Sequence, residues 1–164
     1  MNRARRALVS AVGLAGTASL PGCGGKKPPP PPPPTTLALK LSAGADVNPD
    51  EAGAPKPLRV RVLELSSPTA LSQATFFALD ADPAKALGPE LLASEDVVLR
   101  PGQTASVEHE TKPGTKFVGV VGAYFAIESA RWRAWAPVKP NTKNAYTAAF
   151  GAGGVALIEG GGAS

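Results

Sequence analysis

The chain holds one cysteine, one histidine and one methionine in 164 residues, and that scarcity removes most site chemistry at the outset. With Cys23 as the sole thiol, no intramolecular disulfide, thiolate metal cluster or thiol nucleophile with a resolving partner can form. His109 lies in Val107-Glu108-His109-Glu110, where a zinc-protease pattern would need a second histidine four places on. It reads as an ordinary strand histidine. No serine elbow is present, and no Ser-His-acid set can be assembled. Asp80 and Asp82 begin like a calcium loop but lack the later oxygen donors and closing glutamate. Gly151-Ala152-Gly153-Gly154 is a glycine turn, because no βα unit follows it to make a dinucleotide site. Neither an enzyme, a cofactor, a metal nor a small-molecule substrate is expected.

An excess of one charge is also missing once the chain is divided. The whole sequence is +4, yet setting aside Arg3, Arg5 and Arg6 leaves 14 basic against 13 acidic side chains, and from Thr35 onward the balance is 12 against 13. A domain without surplus positive charge is not built to grip phosphates, which excludes nucleic acid as the expected partner.

No apolar run is long enough to span a bilayer as a helix. Ala7 to Leu20 is about 14 residues, against the roughly 20 a helix needs. Following Arg3, Arg5 and Arg6, it has the order of a secretory signal. Leu20-Pro21-Gly22-Cys23 resembles the bacterial lipobox, an aliphatic residue three before and a small residue one before the cysteine. That resemblance implies a signal peptide over residues 1–22, cleaved before Cys23, and acyl chains on Cys23 that hold the protein on a membrane; at about 0.8 kcal/mol per buried methylene the anchor is effectively permanent. Gly24, where an aspartate would signal inner-membrane retention, points to the outer membrane. Lys26 and Lys27 precede seven consecutive prolines, Pro28 to Pro34. Such a run favours a polyproline II rod of about 20 Å at roughly 3.1 Å per residue. Residues 23–34 are therefore a tether, and residues 35–164 a single domain.

That domain alternates with period two between proline- and glycine-marked breaks. Leu37, Leu39 and Leu41 share one face of a strand; Leu58, Val60 and Val62 share another, with Arg59 and Arg61 outward and a phase shift at Leu63 that suggests a bulge. Ser67-Pro68 and Asp82-Pro83 are N-cap and first-turn pairs, giving two brief helices between Pro68 and Leu92, with Leu71, Ala74 and Ala78 on one face and Phe76 and Phe77 available to the core. Asp96–Leu99 and Thr104–Glu110, joined by Arg100-Pro101-Gly102-Gln103, read as a hairpin. Lys116–Phe125 is apolar on both faces and should be a central strand. Segments 132–138, 145–150 and 155–159 complete an all-β sandwich of seven to eight strands with a small helical insert; 160–164 is a frayed tail. Glu64, Glu108 and Glu110 are expected to be solvated. Trp132 and Trp135, three apart on a strand, face opposite ways; one core and one edge tryptophan is the simpler reading, and a carbohydrate platform using one of them is the alternative function.

The segments from Leu37 to Val138 resemble, in order, the type VI secretion lipoproteins called TssJ, VasD or SciN. The resemblance rests on Asp46-Val47-Asn48-Pro49-Asp50, Pro57–Leu65, Phe76-Phe77-Ala78-Leu79, Leu91–Glu95, Leu99-Arg100-Pro101-Gly102, Gly119–Tyr124 and Ala130-Arg131-Trp132-Arg133, with the lipobox ahead of them. The proline run and the glycine-rich tail depart from that pattern. The resemblance implies a transthyretin-like sandwich on the periplasmic face of the outer membrane. It also implies a partner, the periplasmic C-terminal region of the inner-membrane component TssM, contacted through the first loop. Here that loop is Ala45–Lys56, and Asp46, Val47, Asn48, Pro49, Asp50 and Glu51 are its expected binding residues, with Asn48-Pro49-Asp50 as a prearranged turn.

Overall fold

Leu37, Leu39, Leu41 and Ala43 are all buried, and the strand that carries them is hydrogen-bonded on both sides. In the computed structural model, which describes residues 28–160, this is β1 (Thr36–Ala43). It is followed by β2 (Leu58–Leu65), three short helices α1 (Thr69–Gln73), α2 (Phe76–Ala81) and α3 (Pro83–Leu87), and a 3-10 turn at Gly88–Glu90. Then come β3 (Leu91–Leu99), β4 (Thr104–Glu110), β5 (Phe117–Gly122), β6 (Arg133–Pro137), β7 (Lys143–Gly151) and β8 (Gly154–Glu159). Cys23, the lipobox and residues 161–164 lie outside the described residues.

Two four-stranded sheets, β4-β1-β7-β8 and β3-β2-β5-β6, face one another. Between them sit the inward residues of β1 and β7, including Tyr146, Ala148 and Phe150, against Leu58, Val60, Val62, Val118 and Val120. At about 1.5–3 kcal/mol for each large apolar side chain buried, this layer supplies the main drive to fold. The expected sandwich of seven to eight strands with a helical insert is the observed architecture, with eight strands.

A second, smaller core lies on the outer side of the β3-β2-β5-β6 sheet, where Leu63, Leu65 and Val121 meet Leu71, Leu79 and Leu87. This explains the apparent phase shift at Leu63: strand β2 does not change phase there but gains a cover on its outer face. A register irregularity does occur, one step later, between Glu64 and Leu65. Arginines hold the cover in place. Arg61 makes a paired contact with Asp96, Nε to Oδ1 at 2.7 Å and Nη2 to Oδ2 at 2.9 Å, and donates to the Leu79 carbonyl at 3.0 Å. Arg59 pairs with Asp80, while Arg133 donates to the carbonyls of Leu71 and Ala74 at 2.7 and 2.6 Å. Asp82 caps α3 through the Lys85 amide, as expected. At the start of α1, Ser67 Oγ accepts from the Thr69 amide at 3.2 Å, and the next amide, that of Ala70, is taken by Glu90, twenty residues away, at 2.8 Å.

Three further expectations are corrected. The Arg100–Gln103 turn forms, with Gly102 at φ 75° and the Gln103 amide donating to the Arg100 carbonyl, but β3 and β4 are not a hairpin: β3 pairs with β2 and β4 with β1, so the turn carries the chain from one sheet to the other. The helical insert comprises three α-helices rather than two. Strand β5 is interior to its sheet but ends at Gly122, which leaves Phe125 in a loop.

The two sheets are joined along one side where Arg131 forms a parallel bridge with Gly154. Gly154 has φ 135°, and a Cβ there would stand 2.5 Å from the Arg131 carbonyl oxygen. Gly154→Ala is expected to cost about 2 kcal/mol through backbone strain alone, with the collision added, read as a lowered denaturation midpoint; unchanged stability would show that this seam is not a constraint.

Candidate functional site

Strand β1 runs the length of the sandwich, about 25 Å at roughly 3.3 Å per residue, and separates two differently built ends. At its start, Thr35 accepts from the Thr111 amide at 3.0 Å through its carbonyl, and from the Asn141 amide at 2.8 Å through its hydroxyl. At its finish, the Ala43 amide donates to Gln103 and the Gly44 amide to Phe150, at 2.9 and 2.8 Å. The loop between β1 and β2 therefore lies at the end of the sandwich away from Thr35.

That loop is a miniature hairpin. Asp50 and Ala54 bond through their backbones at 3.0 Å, the Gly53 amide returns to the Asp50 carbonyl at 2.9 Å, and Pro49 and Pro55 bridge. The Asp50 carboxylate locks the tip by accepting from the Ala52 and Ala54 amides at 3.0 and 2.9 Å, and pairs with Lys56 at 3.0 Å. The turn is thus Asp50 to Gly53, and Asn48-Pro49-Asp50 is its base. The six expected binding residues divide by this geometry. Asp46 and Glu51 are exposed, and Pro49 and Asp50 are half-buried. Val47 and Asn48 are buried in the interior. Asn48, at φ 50°, donates from Nδ2 to the Pro57 carbonyl at 2.9 Å and accepts at Oδ1 from the Phe125 amide at 2.7 Å. A left-handed backbone is tolerated by asparagine better than by most residues, and here it aims the amide inward to tie the β1–β2 loop to the β5–β6 loop.

Near the other end lies a buried polar group built on Glu64, which residue type alone places in solvent. Glu64 points between the sheets, 4% exposed, and His109 reaches it from β4 with Nε2 2.6 Å from Oε1. Its other oxygen accepts from the Lys112 amide and the Thr115 hydroxyl, both at 2.7 Å. The signal available was parity: Glu64 follows Leu58, Val60 and Val62 at even spacing, so it shares their inward face. The cluster makes no nucleophile, because Thr115 donates to the carboxylate and not to the imidazole base. It clamps the sheets together beside a cleft of about 560 Å³ along the β3 and β4 edges. Glu108 is solvated as expected and pairs with Lys143 at the surface; Glu110 is exposed.

The tryptophans also separate. Trp132 packs edge-on to Phe76, with ring centroids 5.5 Å apart, and lies beneath the Arg133 guanidinium at 4.4 Å. Trp135 is 40% exposed on the edge strand β6. The indoles thus divide into one packed against the helical cover and one at a sheet edge, as expected. Among the described residues no group of three His, Cys, Asp or Glu side chains could hold a metal ion.

The polar clusters described above are spent on structure: Asp50 and Asn48 fasten the first loop and Glu64 fastens the two sheets. These features define a transthyretin-like sandwich of two four-stranded sheets. The family described as type VI secretion lipoprotein, VasD, EvfM, TssJ matches residues 35–153, and the chain belongs to that family. It is similar to the lipoprotein TssJ1 from Pseudomonas aeruginosa, at 30% identity over 80% of this chain and 100% of that one, with a TM-score of 0.77. Serratia marcescens Lip, a membrane-bound component of the type VI secretion system, is 26% identical over 77% and 98% of the two chains, with a TM-score of 0.70. A chain of a type VI membrane complex, 24% identical over 76% and 98% with a TM-score of 0.64, shares the fold. No curated protein matches the sequence. The family is one of structural secretion lipoproteins.

The Ala54 amide, then the Lys56 ammonium, hold the Asp50 carboxyl below its ordinary value of 3.8. A depressed folded value means that the contribution of Asp50 to the loop is complete above that ordinary value and is lost as pH falls through the lower one. The Ala52 and Ala54 amide resonances should therefore titrate together with a midpoint under 3.8, and Asp50→Asn should abolish that transition; a midpoint at or above the ordinary value would contradict the lock.

Proposed function

We propose that this protein is a lipid-anchored adaptor of the type VI secretion membrane complex. In this reading residues 1–22 are a signal peptide, and acylated Cys23 holds the protein on the periplasmic face of the outer membrane. Residues 23–34 are the tether, and the Ala45–Lys56 loop docks the periplasmic C-terminal region of a TssM-like inner-membrane component. Membership of the lipoprotein family supports the anchor. The observation that carries the docking assignment is geometric: the chain enters β1 at Thr35, and the hairpin led by Asp50 stands at the other end of the same strand. An adaptor between two membranes needs its anchor and its docking surface apart, so that the partner is presented with the surface and not with the bilayer. A preformed hairpin also loses little conformational entropy on binding.

Cys23→Ser should move the protein from the membrane fraction to the soluble periplasm; full retention in the membrane would defeat the anchor assignment. Because Val47 and Asn48 belong to the interior, the loop is better tested at its surface than by deletion. The double substitution Asp46→Lys with Glu51→Lys should weaken binding of the partner's periplasmic region about ten-fold or more, equivalent to roughly 1.4 kcal/mol, without altering the melting temperature. Unchanged affinity would remove these residues from the contact.

A further inference from the structure

Phe125 is 65% exposed, yet it is not on a loose segment. The backbone around it is fastened on both sides: the Ala123 amide donates to the Arg59 carbonyl at 2.9 Å, the Ala130 amide to the Ala126 carbonyl at 2.9 Å, and the Arg131 amide to the Gly153 carbonyl at 3.0 Å. The Phe125 amide itself is taken by Asn48, whose side chain is buried beneath the first loop. An aromatic ring held outside the core by an ordered backbone forgoes about 2 kcal/mol of burial, and nothing in the fold requires that exposure. The other exposed large apolar residues differ in setting: Phe77 packs edge-on against Phe76, and Val98, Trp135 and Ile158 lie on strands.

We infer that the docking surface is composite, with Phe125 as its apolar anchor and Asn48 as the buried strut that sets the anchor beside the first loop. This rests on the adaptor reading above and extends it to a second loop. Phenylalanine is among the residues enriched at the cores of protein interfaces, and an ordered backbone presents this one ready to enter a partner's pocket. The partner surface is therefore a folded protein with an apolar recess for one ring. The first loop contributes the exposed carboxylates of Asp46 and Glu51, while its single lysine is paired to Asp50, so the border of the recess on that side carries lysine or arginine. In this arrangement Val47 and Asn48 act from beneath the surface and do not touch the partner.

The test is titration of the full-length lipoprotein in detergent with the periplasmic C-terminal region of the TssM-like component of the same secretion system. Phe125→Ala should weaken binding at least ten-fold with an unchanged melting temperature, and Phe125→Trp should retain most of the affinity. Asn48→Ala should weaken binding and also speed hydrogen exchange at the Phe125 amide, a readout that general destabilisation at distant sites would not single out. If Phe125→Ala binds within two-fold of the unaltered protein while the Asp46 and Glu51 reversals abolish binding, the composite surface is wrong and the adaptor reading stands. If the unaltered protein does not bind, both fail.

Discussion

The sandwich depends on β1. Its inward leucines are among the most deeply buried side chains in the molecule, and its backbone is saturated on both edges, antiparallel to β4 and parallel to β7. A parallel pair cannot be closed by a tight turn, and here the whole second sheet and the helical insert intervene between β1 and β7 in the chain. The first strand is thus held by one more than a hundred residues later in the chain, Thr36 lying opposite Lys143. Any pull applied through Thr35 acts along a strand whose hydrogen bonds share the load on both sides, a geometry suited to the proposed adaptor role.

The same strand gives the molecule its two ends. Near Thr35 the sheets are tied by the buried Glu64–His109 pair, a polar clamp with its oxygens fully used. At the far end the tie is Asn48, which satisfies one donor and one acceptor from two different loops. Buried polar groups of this kind are costly unless every partner is present, so both clusters specify geometry more than they add stability. The difference lies in what they expose. The first leaves a half-exposed imidazole beside a cleft, whereas the second leaves a carboxylate-bearing hairpin and an aromatic ring.

How much of this was readable from residues alone follows from the range of each signal. Period-two alternation identified β1, β2, β4 and the β7–β8 pair, because one buried face imposes the pattern locally. Asp82-Pro83 marked a helix start for the same reason. The Arg100–Gln103 turn was legible, but turn chemistry fixes dihedrals and not destinations, so the crossing from one sheet to the other was read as a hairpin. Leu63 and Leu65 looked like a change of phase because a helical cover turns a one-faced strand into a two-faced one. Residue type places Glu64 in solvent, whereas its parity with Leu58, Val60 and Val62 places it on the inward face. Among the site residues, the position of the Asp46–Glu51 segment came through family resemblance, while the inward turn of Val47 and Asn48 and the exposure of Phe125 depend on a contact across 77 residues that no local pattern encodes.

The central claim is that the proposed docking surface lies at the end of β1 away from Thr35, where the chain enters the domain. The most direct measurement is a map of amide chemical-shift changes in the isotopically labelled protein as the partner's periplasmic region is added. The account predicts changes concentrated in residues 45–56 and 123–131, with 111–116 and 139–143 unmoved. Changes centred on those latter segments, or spread over the outer face of the β4-β1-β7-β8 sheet, would contradict it.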